Sequence, residues 1–192
     1  MGITLDKYFE NIYSVIFSPK AFFEREDLTI STRLAVTTVT LVAAISKISI
    51  SIFDGSITNP LFNLTLIYSI VTAIFLWFVT ALFFEYTAKI FEKDGSLKKI
   101  LFYTSFAPVP YIFFAPLNLL KSVGTFGYLF GAYAEFFLYL WIIFLYVLAI
   151  KSVYKITLAR SFMLIFLPFI AGFFAINWMI GFFSKIWYIF SI

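Results

Sequence analysis

Neither cysteine nor histidine occurs among the 192 residues of this chain. The first absence rules out disulfides and thiolate metal sites. The second rules out imidazole ligands, histidine-held haem and any mechanism that needs a histidine as acid or base. Charge is scarce too: 12% of residues are charged, against about a quarter in soluble domains. Such a chain cannot cover itself with a water-facing surface. Nor does a basic-then-apolar leader open it, because Asp6, Glu10, Glu24, Glu26 and Asp27 precede any long apolar run. The first long apolar segment is therefore expected to act as the insertion signal.

What is present is apolar: 62% of residues are hydrophobic and 23% aromatic. Five stretches, roughly 33–53, 60–91, 100–120, 128–150 and 161–180, are long enough to cross a ~30 Å hydrocarbon layer as helices. The expected fold is all-α: an integral membrane protein with a five-helix transmembrane bundle over 31–192, preceded by short interfacial amphipathic helices in 1–30. Leu5, Tyr8, Phe9, Ile12 and Ile16 recur at helical spacing among Asp6, Lys7, Glu10 and Asn11. That pattern fits a helix lying on the membrane surface and, equally, one packed under the bundle. Ser18-Pro19 supplies an N-cap and first-turn proline for a second short helix.

Turn residues divide the rest. Asp54-Gly55-Ser56 closes the first span, Asn59-Pro60 opens the second, Gly95-Ser96 precedes the third, and Lys121 to Gly127 reads as a loop. The second span is ~45 Å long, so its last turns, with Glu85, Lys89, Glu92 and Lys93, are expected to project into water. Span three contains Pro108, Pro110 and Pro116, and span five is expected to kink near Pro168. An interior proline removes a backbone donor, and a break facing lipid is costly, so span three should be shielded by its neighbours. Phe182, Phe183, Trp187, Tyr188 and Phe190 suit an anchor at the far interface.

The cations are distributed unevenly. Lys7, Lys20, Arg25 and Arg33 precede span one; Lys89, Lys93, Lys98 and Lys99 lie between spans two and three; Lys151, Lys155 and Arg160 lie between spans four and five. The opposite side has only Lys121 and Lys185. This bias predicts a multi-pass protein of the cell membrane with its N-terminus cytoplasmic and its C-terminus outside. The +4 net charge belongs to loops facing anionic headgroups, so membrane lipid is the expected partner and nucleic acid is not. No internal repeat is visible, and an odd number of spans argues against a transporter of two matched halves.

An ionisable side chain within a span costs about 2.5–3.5 kcal/mol on insertion scales and is a functional suspect by default. Glu85 can form an interfacial ion pair with Lys89, one turn on. Lys47 lies about 21 Å above Arg33 along its helix, and Glu135 about 24 Å above Lys151, so the two reach similar depth in the outer half of the bilayer. They fit an ion pair or two walls of a polar cavity, with Asn177 as a third member. They also fit independent placement, with Lys47 snorkelling outward and Glu135 near the interface. Arg33, Thr37, Thr40, Ala44, Lys47 and Ser51 share one face of span one, a small and hydroxyl-rich seam suited to close packing. Catalytic constellations are missing: no base for a serine nucleophile, no metal ligand set, no phosphate-cradling loop. Asp94-Gly95 lacks the further aspartates that a two-metal lipid-phosphate transferase needs. No enzyme and no cofactor are expected.

The segments Phe17-Ser18-Pro19-Lys20-Ala21-Phe22-Phe23-Glu24, Gly95-Ser96-Leu97-Lys98 and Phe106-Ala107-Pro108-Val109-Pro110, with five spans and a cytosolic N-terminus, resemble the Yip1 domain family, particularly its bacterial and archaeal branch. The resemblance covers nearly the whole chain and implies an integral membrane protein without known catalysis. Eukaryotic relatives bind small Rab-type GTPases through a longer N-terminal region. Here about 30 residues precede span one and the Asp-Leu-Tyr-Gly-Pro motif is absent, so GTPase binding is not expected. The leading expectation is a non-catalytic membrane scaffold, paired with copies of itself or other membrane proteins. The alternative is a solute, ion or lipid conduit lined by Lys47, Glu135 and Asn177, with the proline-broken span three as its moving part.

Overall fold

The computed structural model describes residues 5–25, 28–90 and 95–167, together with residues 170, 174, 178 and 179. Two short helices, α1 (Leu5–Phe17) and α2 (Pro19–Glu24), precede α3 (Thr32–Phe53) and α4 (Phe62–Ile90). The third apolar segment is divided into α5 (Leu97–Phe106), a 3-10 turn (Val109–Phe113) and α6 (Phe114–Lys121). Then come α7 (Gly124–Tyr154) and α8 (Leu158–Leu167). Four of these segments are long and apolar enough to cross a bilayer: Thr32–Phe53, Phe62–Lys89, Leu97–Lys121 and Gly124–Tyr154. Within the expected fifth span, the described residues give the ten-residue apolar helix α8. Pro168, Asn177 and the aromatic segment from Phe182 to Phe190 lie outside the described residues, as do Glu92, Lys93 and Asp94.

The division of the third segment follows from its prolines. Pro108 and Pro110 follow directly on the end of α5, and the Tyr111 N–H bridges the break by donating to the Pro108 carbonyl at 2.9 Å. Pro116 occupies the first turn of α6, where a missing N–H has no helical partner to lose. It therefore begins a helix and kinks none. Irregular backbone is expensive against lipid, and this segment sits at the centre: α1, α3 and α7 all pack on the 3-10 turn. Over an 18-residue window 61% of Leu97–Lys121 is buried, against 11% of Phe62–Lys89. The outlying α4 instead turns large apolar side chains outward, Leu64, Tyr68, Val71 and Phe75 among them, as a helix solvated by hydrocarbon does.

At the opposite extreme of polarity, α2 is plugged into the bundle by two aromatic rings. Phe22 and Phe23 are 0% and 1% exposed. The Phe22 ring lies 5.1 Å from Phe106, and Phe23 lies 5.8 Å from Tyr103. On α1, Tyr8, Asn11, Ser14 and Val15 are buried while Phe9, Tyr13 and Phe17 face outward. The inward face follows helical spacing but is shifted from the one expected, because Phe9 belongs to the exposed stripe.

The expected loop from Lys121 to Gly127 shrinks to Ser122 and Val123. Gly124, at φ +63°, takes the left-handed conformation that lets α7 start at once. Gly127 and Gly131 then form a Gly-x-x-x-Gly face against α6. A Cβ on Gly127 would lie 2.3 Å from the Leu120 carbonyl oxygen; one on Gly131 would meet the Lys121 Cγ at 2.6 Å. Backbone cannot yield but a lysine stem can, so the two positions should respond differently. Gly→Ala gains about 1 kcal/mol of helix propensity, while forced overpacking costs about 1–3 kcal/mol. Gly127→Ala should therefore lower the thermal midpoint in detergent, and Gly131→Ala, whose Cβ would also lie 3.1 Å from the Leu117 carbonyl oxygen, should shift it by no more than about 2–4 °C (~1 kcal/mol or less).

Candidate functional site

The structure does not join Lys47 and Glu135 as an ion pair. Glu135 is paired with Lys121, whose side chains are 24% and 21% exposed, respectively. The geometry has a local cause: Gly127, Gly131 and Glu135 fall on one face of α7 at four-residue intervals, and the two glycines admit α6 so closely that the Lys121 stem runs beside them. Half-buried Lys47 lies two turns before Asp54 on α3, about 10 Å along the axis. Its charge is felt at Asp54, whose carboxyl is held below the usual range first by hydrogen bonds from Ser56 and then by Lys47. The third member of the expected cluster, Asn177, is outside the described residues.

The seam on span one is rotated from its expected position at its first half. Arg33 and Thr37 are exposed, and the buried face there is Ala35, Thr38, Val39 and Val42. Thr37 satisfies its own hydroxyl by donating to the Arg33 carbonyl at 2.9 Å, so it has no need of a neighbouring helix. Only towards the other end do Thr40, Ala44 and Lys47 become half-buried and Ser51 fully buried.

Glu85 and Lys89 stand 3.7 Å apart, but the glutamate is far from an exposed interfacial group. It is 8% exposed, and Tyr154 at the end of α7 donates its hydroxyl to the second carboxylate oxygen at 2.8 Å. Gly95 closes this arrangement: a Cβ there would sit 2.1 Å from the Tyr154 ring and 3.1 Å from the Glu85 carboxylate. Tyr154 was not identifiable from the sequence as part of this site, since nothing in a lone tyrosine at a helix end names its partner 69 positions earlier. Nearby, Trp77 donates to Thr104 at 3.2 Å, linking α4 to α5 in the interior. Among the described residues no cluster of three or more acidic side chains could hold a metal ion.

A further feature lies where α2, the start of α5 and the end of α7 converge. A cavity of about 510 Å³ is lined there by Lys20, Arg25, Lys99, Lys151 and Lys155, with Glu24 the one acid among the described residues. Leu28, Ile30 and Leu148 add apolar side chains to its lining. The chain leaving α2 is tied to this rim. Lys151 bonds Glu24 at 3.0 Å, the Ser152 hydroxyl donates to the Phe23 carbonyl, and the Tyr103 hydroxyl donates to the Arg25 carbonyl at 3.3 Å.

The family model of the Yip1 domain matches residues 13–179. The chain belongs to the Yip1 domain family. No curated protein and no solved structure matches it significantly. Membership makes this a Yip1 membrane protein, and its geometry gives reasons for the segments that carry the likeness. Phe22 and Phe23 are the rings that plug α2 into α5; Gly95 is the only residue type that fits against the Tyr154–Glu85 bond; Pro108 and Pro110 make the central break.

Neutralising one member of the α6–α7 pair should leave the other charge half-buried and unpartnered. Glu135→Gln should therefore cost about 1–3 kcal/mol, between the exposed and fully buried limits. Lys121→Met/Glu135→Leu should recover most of that loss, and Lys47→Met should not interact with either. Thermal midpoints of the single and double variants, read as a mutant cycle, check all three statements.

Proposed function

We propose that this Yip1-family protein is a non-catalytic scaffold of the cell membrane that presents its docked N-terminal helices at the cytoplasmic surface to partner proteins or to a second copy. The observation that carries this reading is the fixed attachment of α2: two buried phenylalanines, the Glu24–Lys151 pair and the Ser152–Phe23 bond hold a surface helix rigidly on the bundle. Structural partners for Glu85 and Glu135 are what a scaffold needs, and they leave those carboxylates already engaged.

In this reading the chain crosses the membrane five times, with the N-terminus inside and the C-terminus outside. Support comes from the basic bias of alternate loops and from α8, which together with the helical residues at 170, 174, 178 and 179 occupies the stretch of the fifth span. The absence of native cysteine makes the topology test clean. A membrane-impermeant maleimide applied to intact cells should label Thr58→Cys, Ser122→Cys and Ser191→Cys, and leave Lys7→Cys and Lys98→Cys unlabelled until the cells are opened. A silent Ser191→Cys beside a labelled Ser122→Cys would mean an even number of spans. For the scaffold role, crosslinking and affinity capture from native membranes should return a reproducible partner or a self-associated form; repeated recovery of the lone monomer would refute it.

A further inference from the structure

The basic cavity has a composition that a scaffold does not require. Among the described residues that line its volume of about 510 Å³ are five cations and one acid. Two are already engaged, Arg25 with Glu10 at 3.4 Å and Lys151 with Glu24 at 3.0 Å. Lys20, Lys99 and Lys155 have no carboxylate within ion-pair distance among the described residues. Gathering three like charges around one hollow is unfavourable unless an anion enters it.

Backbone conformation adds a second indication. Lys155 ends α7 in the left-handed region, at φ 49° and ψ 44°, where glycine is the residue of lowest cost. It is the one non-glycine residue at positive φ among those described. The chain thus holds a cation at the cavity rim at a position where a smaller residue would fold more easily.

The cavity is also two-sided. Lys99 stands in the first turn of α5 and Lys151 in the last turn of α7, at the ends of membrane-spanning helices, where headgroups lie. Leu28, Ile30 and Leu148 supply an apolar wall beside the cations. A small hydrated anion has no use for that wall, whereas an amphiphile does. We propose that this cavity binds a phosphate-bearing anion, the headgroup of an anionic phospholipid, with the phosphate among Lys20, Lys99 and Lys155 and the first carbons of the lipid against Leu28 and Leu148. The inference is independent of the scaffold reading, since a lipid can bind whether or not a protein partner does.

The test uses the full chain, purified and exposed to nanodiscs of equal phosphatidylcholine and phosphatidylglycerol, then released for native mass spectrometry. The wild-type protein should retain one phosphatidylglycerol in preference to phosphatidylcholine. Lys99→Gln and Lys155→Gly should each weaken that preference about fivefold, the contribution of one basic side chain at an anionic surface, and together roughly 25-fold. Lys155→Gly relieves the left-handed lysine and should fold at least as well as wild type, which separates lost binding from lost structure. Lys98→Gln, with the same change of charge outside the cavity lining, should retain the lipid. Titration with glycerol phosphate and inorganic phosphate identifies the source of the group. Displacement only at far higher concentration supports the lipid, and displacement at matching concentration assigns the same site to a soluble phosphate. Equal retention of phosphatidylcholine, or unchanged retention in Lys99→Gln/Lys155→Gly, would overturn the proposal and leave these lysines as neutralisers of the α7 carbonyl end.

Discussion

A bilayer core offers no water to an unpaired backbone group, and this constraint governs the arrangement of the whole chain. The third apolar segment breaks its own helical ladder at Pro108 and Pro110, so it cannot stand at the lipid boundary. It becomes the most enclosed segment, with α1, α3 and α7 laid over the break and α4 left outside. The roles of the other helices follow: α3 and α7 must be close enough to cover the 3-10 turn, while α4 can remain apolar on every side.

Glycine sets the second level of organisation. Gly127 and Gly131 bring α6 and α7 near enough for Lys121 to lie beside Glu135, and Gly95 brings the chain before α5 onto the Tyr154–Glu85 bond. In both places a missing Cβ precedes a satisfied carboxylate. Close backbone approach and charge matching are thus one solution, since without hydrophobic driving force between helices in lipid, contact depends on shape and on partnered polar groups.

Much of the fold was legible because hydropathy, turn residues and proline act locally. Spans at 33–53 and 60–91 correspond closely to α3 and α4, and the break at Pro108–Pro110 was visible as a need for shielding. The site residues were harder, for a physical reason. Depth along a helix can be counted from residue numbers, but the neighbour a side chain faces cannot: Lys47 and Glu135 are matched by counted depth, and Glu135 pairs with Lys121 instead. Reading Lys121 as a loop residue removed the true partner of Glu135 from consideration; the signal that could have recovered it was Gly127-x-x-x-Gly131 followed by Glu135 on the same face. Tyr154 depends on a contact 69 positions away and the basic cavity on residues from three separate elements, which no local pattern encodes.

The plug formed by Phe22 and Phe23 has a consequence for how the protein is made. These rings leave the ribosome before any membrane span, yet their seats on Tyr103 and Phe106 and the ties from Lys151 and Ser152 come 80 to 130 residues later, the last at separations of 127 and 129 positions. At roughly 5–20 residues per second, the nascent N-terminus waits on the order of ten seconds with two bare aromatic rings and no seat. An element made before any span is thus fixed only after α5 and α7 have been synthesised, and its docking reports that both have arrived.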